Sequence, residues 1–166
     1  SQQTWTNVTF NISTAHGRYP FTLINGTKAT TEQRSNTDIT QLSGEWDLHH
    51  EFTDGSHIDT KVYYYDSERG LPGAVILYNS NSTERLADRS LFAQARYTKQ
   101  WNPQWQLRTI AKYTYGWNRY TDTNVKYTDG KQVDENLQHE YYAAATLLYQ
   151  PTIAWSLSLA QDGFVN

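Results

Sequence analysis

The residues whose types and spacing would support chemistry lie on both sides of a short turn at residues 53–56. His49 and Glu51 precede this turn, and His57 and Asp59 follow it. Imidazole and carboxylate groups are ligands of zinc and related metal ions. Because side chains alternate along a strand, a hairpin would bring all four onto one face. We favour a polar side-chain network on that face over a metal site.

A cluster of acidic residues lies in a predicted long loop, and its carboxylate oxygens are the type of ligand that calcium prefers. We favour solvated loop charge here, so no metal and no other cofactor is predicted. The sequence contains no nucleophile elbow, phosphate loop or dinucleotide-binding fingerprint, and we expect that the protein is not an enzyme. The acidic residues are Asp122, Asp129, Asp134 and Glu135.

Side chains suited to ligand contact fall beside predicted long loops. Tyrosines at these positions would stack on a ligand, although interface anchoring is the favoured interpretation for each of them. An apolar run follows the glycines and proline of the stretch ERGLPGAVILYN, residues 68–79. For this run we favour packing onto the loops over recognition. The candidate ligand-contact residues are Tyr65, Arg69, Val75, Ile76, Tyr78, Tyr120 and Tyr127.

Strands with period-two alternation would position these residues. Several alternating segments reach about 10 residues, whereas strands of globular sheets are most often about 5–6 residues long. A tilted strand that crosses a membrane needs about 9–11 residues. No segment predicts a helix. The alternation predicts about eight strands, at residues 4–13, 18–25, 39–52, 57–66, 89–101, 105–118, 136–149 and 153–162.

The predicted connections alternate between short and long. Short connections are expected at residues 14–17, 53–56, 102–104 and 150–152, and long ones at 26–38, 66–88 and 119–135. Outer-membrane barrels combine short periplasmic turns with long extracellular loops in this way. The sequence therefore predicts an all-β fold, namely a segment of an antiparallel, up-and-down transmembrane β-barrel.

Aromatic residues are expected in two bands, which is what the two membrane interfaces select. Aromatic pairing across a soluble sheet is the alternative interpretation. The band beside the short turns contains Phe52, Trp101, Trp105, Tyr149 and Trp155. The band toward the long loops contains Tyr64, Tyr113, Tyr115 and Trp117.

Composition excludes several classes of protein. The 166 residues include no cysteine, so neither disulfides nor thiolate chemistry is expected. The net charge is −3 without a basic block, which argues against nucleic-acid binding. No apolar run approaches the roughly 18 residues of a membrane helix, whereas barrel strands alternate and average out as polar.

Four stretches together resemble the barrel of TonB-dependent outer-membrane receptors of the Bacteroidetes type, in particular the vitamin B12 (cobalamin) receptor-like group. The stretches are ERGLPGAVILYN, Glu-Arg-Leu at 84–86, SLFAQARYTKQWNPQWQLRTIAKYTY and LSLAQDGFVN. The resemblance implies a barrel of about 22 strands around a plug domain. Residues 1–166 would then be a central part of one barrel domain, without its plug and remaining strands.

The resemblance implies energised import of a large scarce nutrient, cobalamin or an iron chelate, across a bacterial outer membrane. The implied partners are outer-membrane lipid, the plug domain of the same receptor, TonB, the small-molecule nutrient and a surface lipoprotein. Two other interpretations stay open. One is a soluble eight-stranded barrel that binds a small ligand, and the other is a small closed membrane barrel with a structural role.

Overall fold

The computed structural model describes residues 3–73, 82–124 and 126–166, and every regular element in these residues is a β-strand. In chain order the strands are β1 (Gln3–Ala15), β2 (Pro20–Asn25), β3 (Lys28–Gln33), β4 (Ile39–Glu51), β5 (His57–Leu71), β6 (Glu84–Asn102), β7 (Trp105–Asp122), β8 (Gln132–Thr152) and β9 (Trp155–Val165). No helix in the described residues is long and apolar enough to cross a membrane.

Seven strands form one antiparallel sheet in the order β1-β4-β5-β6-β7-β8-β9, and β2 pairs with β3 in a separate hairpin. The strands of the large sheet are 11 to 21 residues long. This length exceeds that of ordinary globular strands and suffices to cross a bilayer at a tilt. The predicted all-β, antiparallel up-and-down fold with long strands is confirmed.

The register divides the sheet into two chemically different faces. One row across all seven strands is entirely apolar or aromatic, and we call its side the apolar face: Val8, Trp46, Val62, Ala93, Tyr113, Tyr141 and Val165. The adjacent row lies on the opposite side, the polar face: Asn7, Asp47, Lys61, Gln94, Lys112, Tyr142 and Phe164. Period-two alternation produces this division because successive side chains point to opposite faces.

The apolar face is not covered by a second layer. None of the described hydrophobic side chains is buried, and Val8 and Leu159 are 71% and 73% exposed. A soluble barrel or sandwich turns such a face inward to form a core. Here the face is free to meet hydrocarbon, as in a membrane barrel.

The two predicted aromatic bands lie at opposite ends of the apolar face. At the turn end Trp105 stacks on Tyr149 with a centroid distance of 4.2 Å. At the other end Tyr113 packs against Tyr141 at 5.0 Å, and the Trp117 ring lies beneath the Arg89 guanidinium at 5.3 Å. The aromatic positions therefore mark the two limits of an apolar belt, as the membrane interpretation requires.

The alternation of short and long connections is confirmed from β4 onward and is wrong before it. Tight turns join β4 to β5, β6 to β7 and β8 to β9, whereas 72–83 and 123–131 are long connections at the opposite end. The predicted short turn at 14–17 is instead the start of one long connection, residues 16–38. Because β1 pairs directly with β4, this connection leaves the sheet and returns to it.

The strand predicted at 18–25 exists as β2, but it does not belong to the large sheet. Asn25 and Lys28 close a hairpin around Gly26, which has a φ of 60°. Glycine adopts this left-handed conformation without the steric cost that a side chain brings. Residues 28–33, predicted as loop, therefore form the second strand of that hairpin.

Both later long loops are shorter than predicted. β5 continues to Leu71 and β6 begins at Glu84, so the loop predicted at 66–88 spans only 72–83. The loop predicted at 119–135 spans only 123–131. Gly70, one of the glycines of the ERGLPGAVILYN stretch, lies inside β5. The ladder continues past the apolar belt because backbone pairing does not depend on apolar side chains.

Candidate functional site

An ion-pair network occupies the turn end of the polar face. Nδ1 of His49 lies 2.7 Å from Oδ1 of Asp59, and Nε2 of His57 lies 4.0 Å from Oδ2. The Arg96 guanidinium donates to Oδ2 of Asp59 at 3.1 Å. The ring of Trp5 stacks on His49 at 5.6 Å. This arrangement matches the polar network favoured from the sequence, with one carboxylate shared by three basic groups.

Further ion pairs extend this network along the polar face. Nζ of Lys61 lies 2.8 Å from Oε1 of Glu45 and 3.7 Å from Oδ1 of Asp47. The Arg69 guanidinium lies 3.0 Å from Asp88, closer to the long loops. Close pairing is what a charged barrel interior requires, because an unpaired charge there loses its hydration.

The described residues contain no group of three or more His, Asp or Glu side chains that would hold a metal ion. In the acidic loop group, Asp134 and Glu135 are successive residues of β8 and point to opposite faces. Asp134 accepts a hydrogen bond from Gln132 at 2.7 Å, and Glu135 accepts one from Trp117. The acidic side chains are thus held by separate partners.

Three long connections, 16–38, 72–83 and 123–131, share one end of the large sheet, and we call them together the loop platform. Asn36 ties the first to the second: its side-chain amide donates to the Leu71 carbonyl at 2.8 Å and to the Glu84 carbonyl at 2.7 Å. Arg34 donates to the Gly73 carbonyl. Gly70 donates its N–H to the Asp38 carbonyl at 2.9 Å.

Asp122 ties the second loop to the third. Its Oδ1 accepts a hydrogen bond from the Thr83 hydroxyl at 2.6 Å and from the Asn124 N–H at 3.1 Å. Nζ of Lys126 lies 3.4 Å from Oδ2. The bond from Thr83 is the main cause that lowers the pKa of Asp122, which is 1% exposed. The carboxylate stays ionised at neutral pH and holds both loop stems.

Asp38 adds an ion pair at the same end. The Arg85 guanidinium donates to Oδ2 of Asp38 at 2.9 Å and to Glu68 at 2.9 Å. The hydrogen bond from Arg85 holds the pKa of Asp38 below its usual range, against the opposing effect of burial. The return of the first loop to the sheet is therefore fixed by charge as well as by hydrogen bonds.

At the turn end, Asp54 closes the β4–β5 hairpin. Its Oδ1 accepts a hydrogen bond from the Ser56 N–H at 3.0 Å, and its carboxylate pairs with Lys99. The Lys99 bond is the largest cause that lowers the pKa of Asp54, followed by the bonds from Ser56. Gly55, with a φ of 74°, supplies the left-handed turn position.

Within the described chain, four of the predicted ligand-contact residues lie on strands β5 and β7 or in the third loop. Tyr65 and Arg69 project from the polar face of β5, and Tyr120 lies near the end of β7. The Tyr127 ring, in the third loop, lies beneath Nζ of Lys126 at 4.8 Å. Val75, Ile76 and Tyr78 lie outside the described residues. Contact of these residues with a ligand stays a prediction.

The residues that join the loops are not among those predicted from the sequence. Asn36, Asp38, Thr83 and Arg85 lie in segments predicted as loop, and their partners are 35 to 48 residues away or in another loop. Polar loop residues of this kind are common, and nothing local distinguishes those with a distant partner. The residue type at position 36 is consistent with the structure, because asparagine tolerates the left-handed backbone that Asn36 adopts there, at φ 54°.

One hollow of about 1190 Å³ lies among small side chains near the middle of the sheet. Its floor includes five alanines of the apolar face: Ala93, Ala95, Ala111, Ala143 and Ala145. This zone lies between the two aromatic bands, and most of its lining is apolar.

No family model matches the chain, and no curated protein matches it. Among solved structures the fold is similar to that of Ail, the attachment invasion locus protein of Yersinia pestis. The TM-score is 0.35 at 11% identity, over 96% of this chain and 84% of Ail. A likeness of this strength says nothing about what the chain binds.

A structural match is to Ail, and no family model, that of the TonB-dependent receptors included, matches the chain. The assignment to that family is wrong, and so is import of cobalamin or an iron chelate; the plug domain and TonB entered only through it. Where the structure describes them, the stretches that carried the resemblance consist mostly of alternating strands and tight turns. A bilayer and hairpin geometry impose such features on any outer-membrane strand, so they do not identify a family.

The soluble eight-stranded barrel is not supported either, because no described hydrophobic side chain is buried to form the interior of such a barrel. The predicted location in a bacterial outer membrane is confirmed at the level of the fold. Long strands carry an uncovered apolar face that ends in aromatic bands at both sides, and a charge-paired polar face lies behind it.

Proposed function

We propose that the chain is a membrane-embedded scaffold that presents the loop platform outside the cell as a binding surface, and that it is not an enzyme. The observation that carries this proposal is the set of bonds that joins the loops to one another. Asn36 bonds to the stems of the second loop, and Thr83 of the second loop bonds to Asp122 beside the third. These bonds hold the loops in one arrangement, and a surface that is ordered in advance loses less conformational entropy when it binds a partner.

Outer-membrane lipid is the partner that we propose for the apolar face. The uncovered row from Val8 to Val165 crosses all seven strands, and in water a patch of this extent would drive aggregation. In a bilayer the same row contacts acyl chains at no cost. Immersion of the sheet would hold its long connections on one side of the membrane and its tight turns on the other.

Single cysteines test this arrangement, because the chain has no cysteine of its own. Asp129→Cys places a thiol in the third long loop, and Ile153→Cys places one in the β8–β9 turn at a fully exposed position. In intact cells with an outer membrane, a membrane-impermeant maleimide should label the thiol at 129. The thiol at 153 should react only after the outer membrane is permeabilised.

Two results would contradict the proposal. One is equal labelling of both thiols in intact cells, and the other is recovery of the chain in the soluble fraction without detergent. The wild-type chain, which has no thiol, provides the labelling background. A heat-denatured sample of each variant shows that both thiols are reactive when they are freely accessible.

A further inference from the structure

A polar pocket of about 340 Å³ lies where the first long loop leaves and rejoins the sheet. Its lining comes from both ends of residues 16–38: His16 and Arg18 after β1, and Gln33, Arg34, Asn36 and Asp38 before β4. The volume is at the lower end of the range for small-molecule sites, which is about 300–1,000 Å³. Such a space would hold a phosphate group together with a small attached moiety.

The lining is rich in hydrogen-bond donors and carries positive charge. Arg18 and Arg34 supply two guanidinium groups, and His16 adds an imidazole. The carboxylate of Asp38 is paired with Arg85 at 2.9 Å, and this guanidinium balances its negative charge. Within the described chain Arg18 has no hydrogen-bond or ion-pair partner, and its five N–H groups are free to bind a ligand.

The backbone around the pocket is held in place by contacts that do not involve the free donors. The Arg34 N–H donates to the Tyr19 carbonyl at 3.0 Å, and the Thr37 hydroxyl donates to the Gly17 carbonyl at 2.8 Å. Asn36 is fixed by its two bonds to the stems of the second loop. A site whose walls are fixed in advance loses less conformational entropy when a ligand binds.

Arg34 is oriented as well as placed. Its Nη2 donates to the Gly73 carbonyl, and its guanidinium lies 6.0 Å from the Phe21 ring centroid. Two guanidinium groups beside one cavity match the geometry of a tetrahedral oxyanion, because each planar fork can bond two oxygens. Lysine would supply only point charge at these positions.

We infer that the pocket between His16, Arg18 and Arg34 binds the phosphate group of a small molecule or of a lipid headgroup. This inference extends the proposed binding role of the loop platform. Because the binding of a dissolved phosphate does not depend on which way the chain faces in a membrane, failure here is distinguishable from failure of the cysteine-labelling test.

Binding is tested with the detergent-folded chain by ³¹P NMR titration, with inorganic phosphate and glucose 6-phosphate as separate probes. We expect saturable binding of at least one probe, and a loss of about tenfold or more in affinity for Arg18→Gln, since a charge-assisted hydrogen bond disappears. Arg108→Gln is the matched control: Arg108 is also exposed and without an ion-pair partner in the described chain, but it lies at the turn end of the polar face.

Vesicles distinguish the two sources of phosphate. If a lipid headgroup is the ligand, neutral phosphatidylcholine vesicles with added phosphatidic acid should protect Arg18 from phenylglyoxal, and vesicles without it should not. The inference is overturned if neither dissolved phosphate nor phosphatidic acid binds. It is equally overturned if Arg18→Gln and Arg108→Gln weaken binding to the same extent, since attraction to net charge alone would explain that result.

Discussion

Asn36 is the residue on which the loop platform depends most directly. Its left-handed backbone turns the chain so that the side-chain amide reaches two carbonyls of β5 and β6, while its own carbonyl region lies against Gly70. This close approach is possible because Gly70 has no side chain. A single glycine inside a strand thus decides whether the first loop can reach the second.

A side chain at position 70 should therefore separate the two loops. A Cβ there would lie 2.4 Å from Oδ1 of Asn36 and 2.6 Å from its carbonyl oxygen, well inside contact distance. We expect Gly70→Ala to lower the free energy of unfolding by about 1–3 kcal/mol, as overpacking does. Urea unfolding in detergent, followed by tryptophan fluorescence, measures the change.

Gly116→Ala is the control for this prediction. Gly116 also lies inside a strand, and the atom nearest to an added Cβ would be the Cβ of Gln138, at 4.0 Å. Because glycine is unfavourable within strands, we expect this substitution to be neutral or to stabilise by up to about 1 kcal/mol. Equal effects of the two substitutions would show that strand propensity, and not the contact with Asn36, determines the cost at position 70.

At the scale of the elements, alternation in the sequence was sufficient to identify the seven strands of the large sheet. It could not identify their loop-side ends, because residues such as Asp66, Glu68 and Arg85 are charged and look like loop. In the folded chain they remain in the ladder and pair with one another across strands: Arg85 with Glu68 and Arg89 with Asp66. Long-range pairing, which local sequence does not reveal, makes these segments strands.

The candidate site was predictable to a smaller extent. The network of His49, His57 and Asp59 was predictable from strand alternation on both sides of a turn, and the Asp-Gly pair predicts that turn. The pocket at Arg18 and Arg34 did not follow from the alternation. The alternation places the strand at 18–25 in the large sheet, which separates the two arginines. Only the direct pairing of β1 with β4 brings both ends of that loop together.

Adjacent alanines of β8 test which face meets lipid. Ala143 lies on the apolar face opposite Ala111, and Ala144 lies on the polar face opposite Asp162. We expect Ala143→Arg to destabilise the chain in phospholipid vesicles by about 2–4 kcal/mol, as a charge near the membrane midplane does. Ala144→Arg should cost much less, because Asp162 can pair with it.

The free energy of unfolding of each variant in vesicles, from urea titration, provides the measurement. Both substitutions introduce the same side chain, one position apart on the same strand, so helix or strand propensity cancels in the comparison. A larger loss for Ala144→Arg would reverse the assignment of the two faces. The polar face would then contact lipid, contrary to the arrangement proposed above.

At the scale of the whole molecule, the edges of the sheet have the greatest consequence. β1 and β9 are the outermost strands, and with five strands between them both run toward the loop platform. Each presents unpaired N–H and C=O groups, and in hydrocarbon every unsatisfied group costs several kcal/mol. Antiparallel pairing of β1 with β9 is impossible, because the two strands point the same way.

We expect both edges to pair with strands that this sheet does not contain, since closure of seven strands on themselves would crowd the polar face. Eight strands already enclose a space that side chains just fill, and here that space would have to hold Trp5, Tyr63, Phe92, Arg96 and Tyr142.

In detergent the chain alone should therefore associate through its edges into dimers or larger assemblies, which light scattering coupled to size-exclusion chromatography would detect. Hydrogen exchange should then find the β9 amides as protected as those of β5. A monomer in which the thiols of Val8→Cys and Leu159→Cys cross-link would contradict this expected association and identify a parallel β1–β9 pair. A monomer with rapid hydrogen exchange at both edges would also contradict it, and would show that the open sheet is stable without a partner.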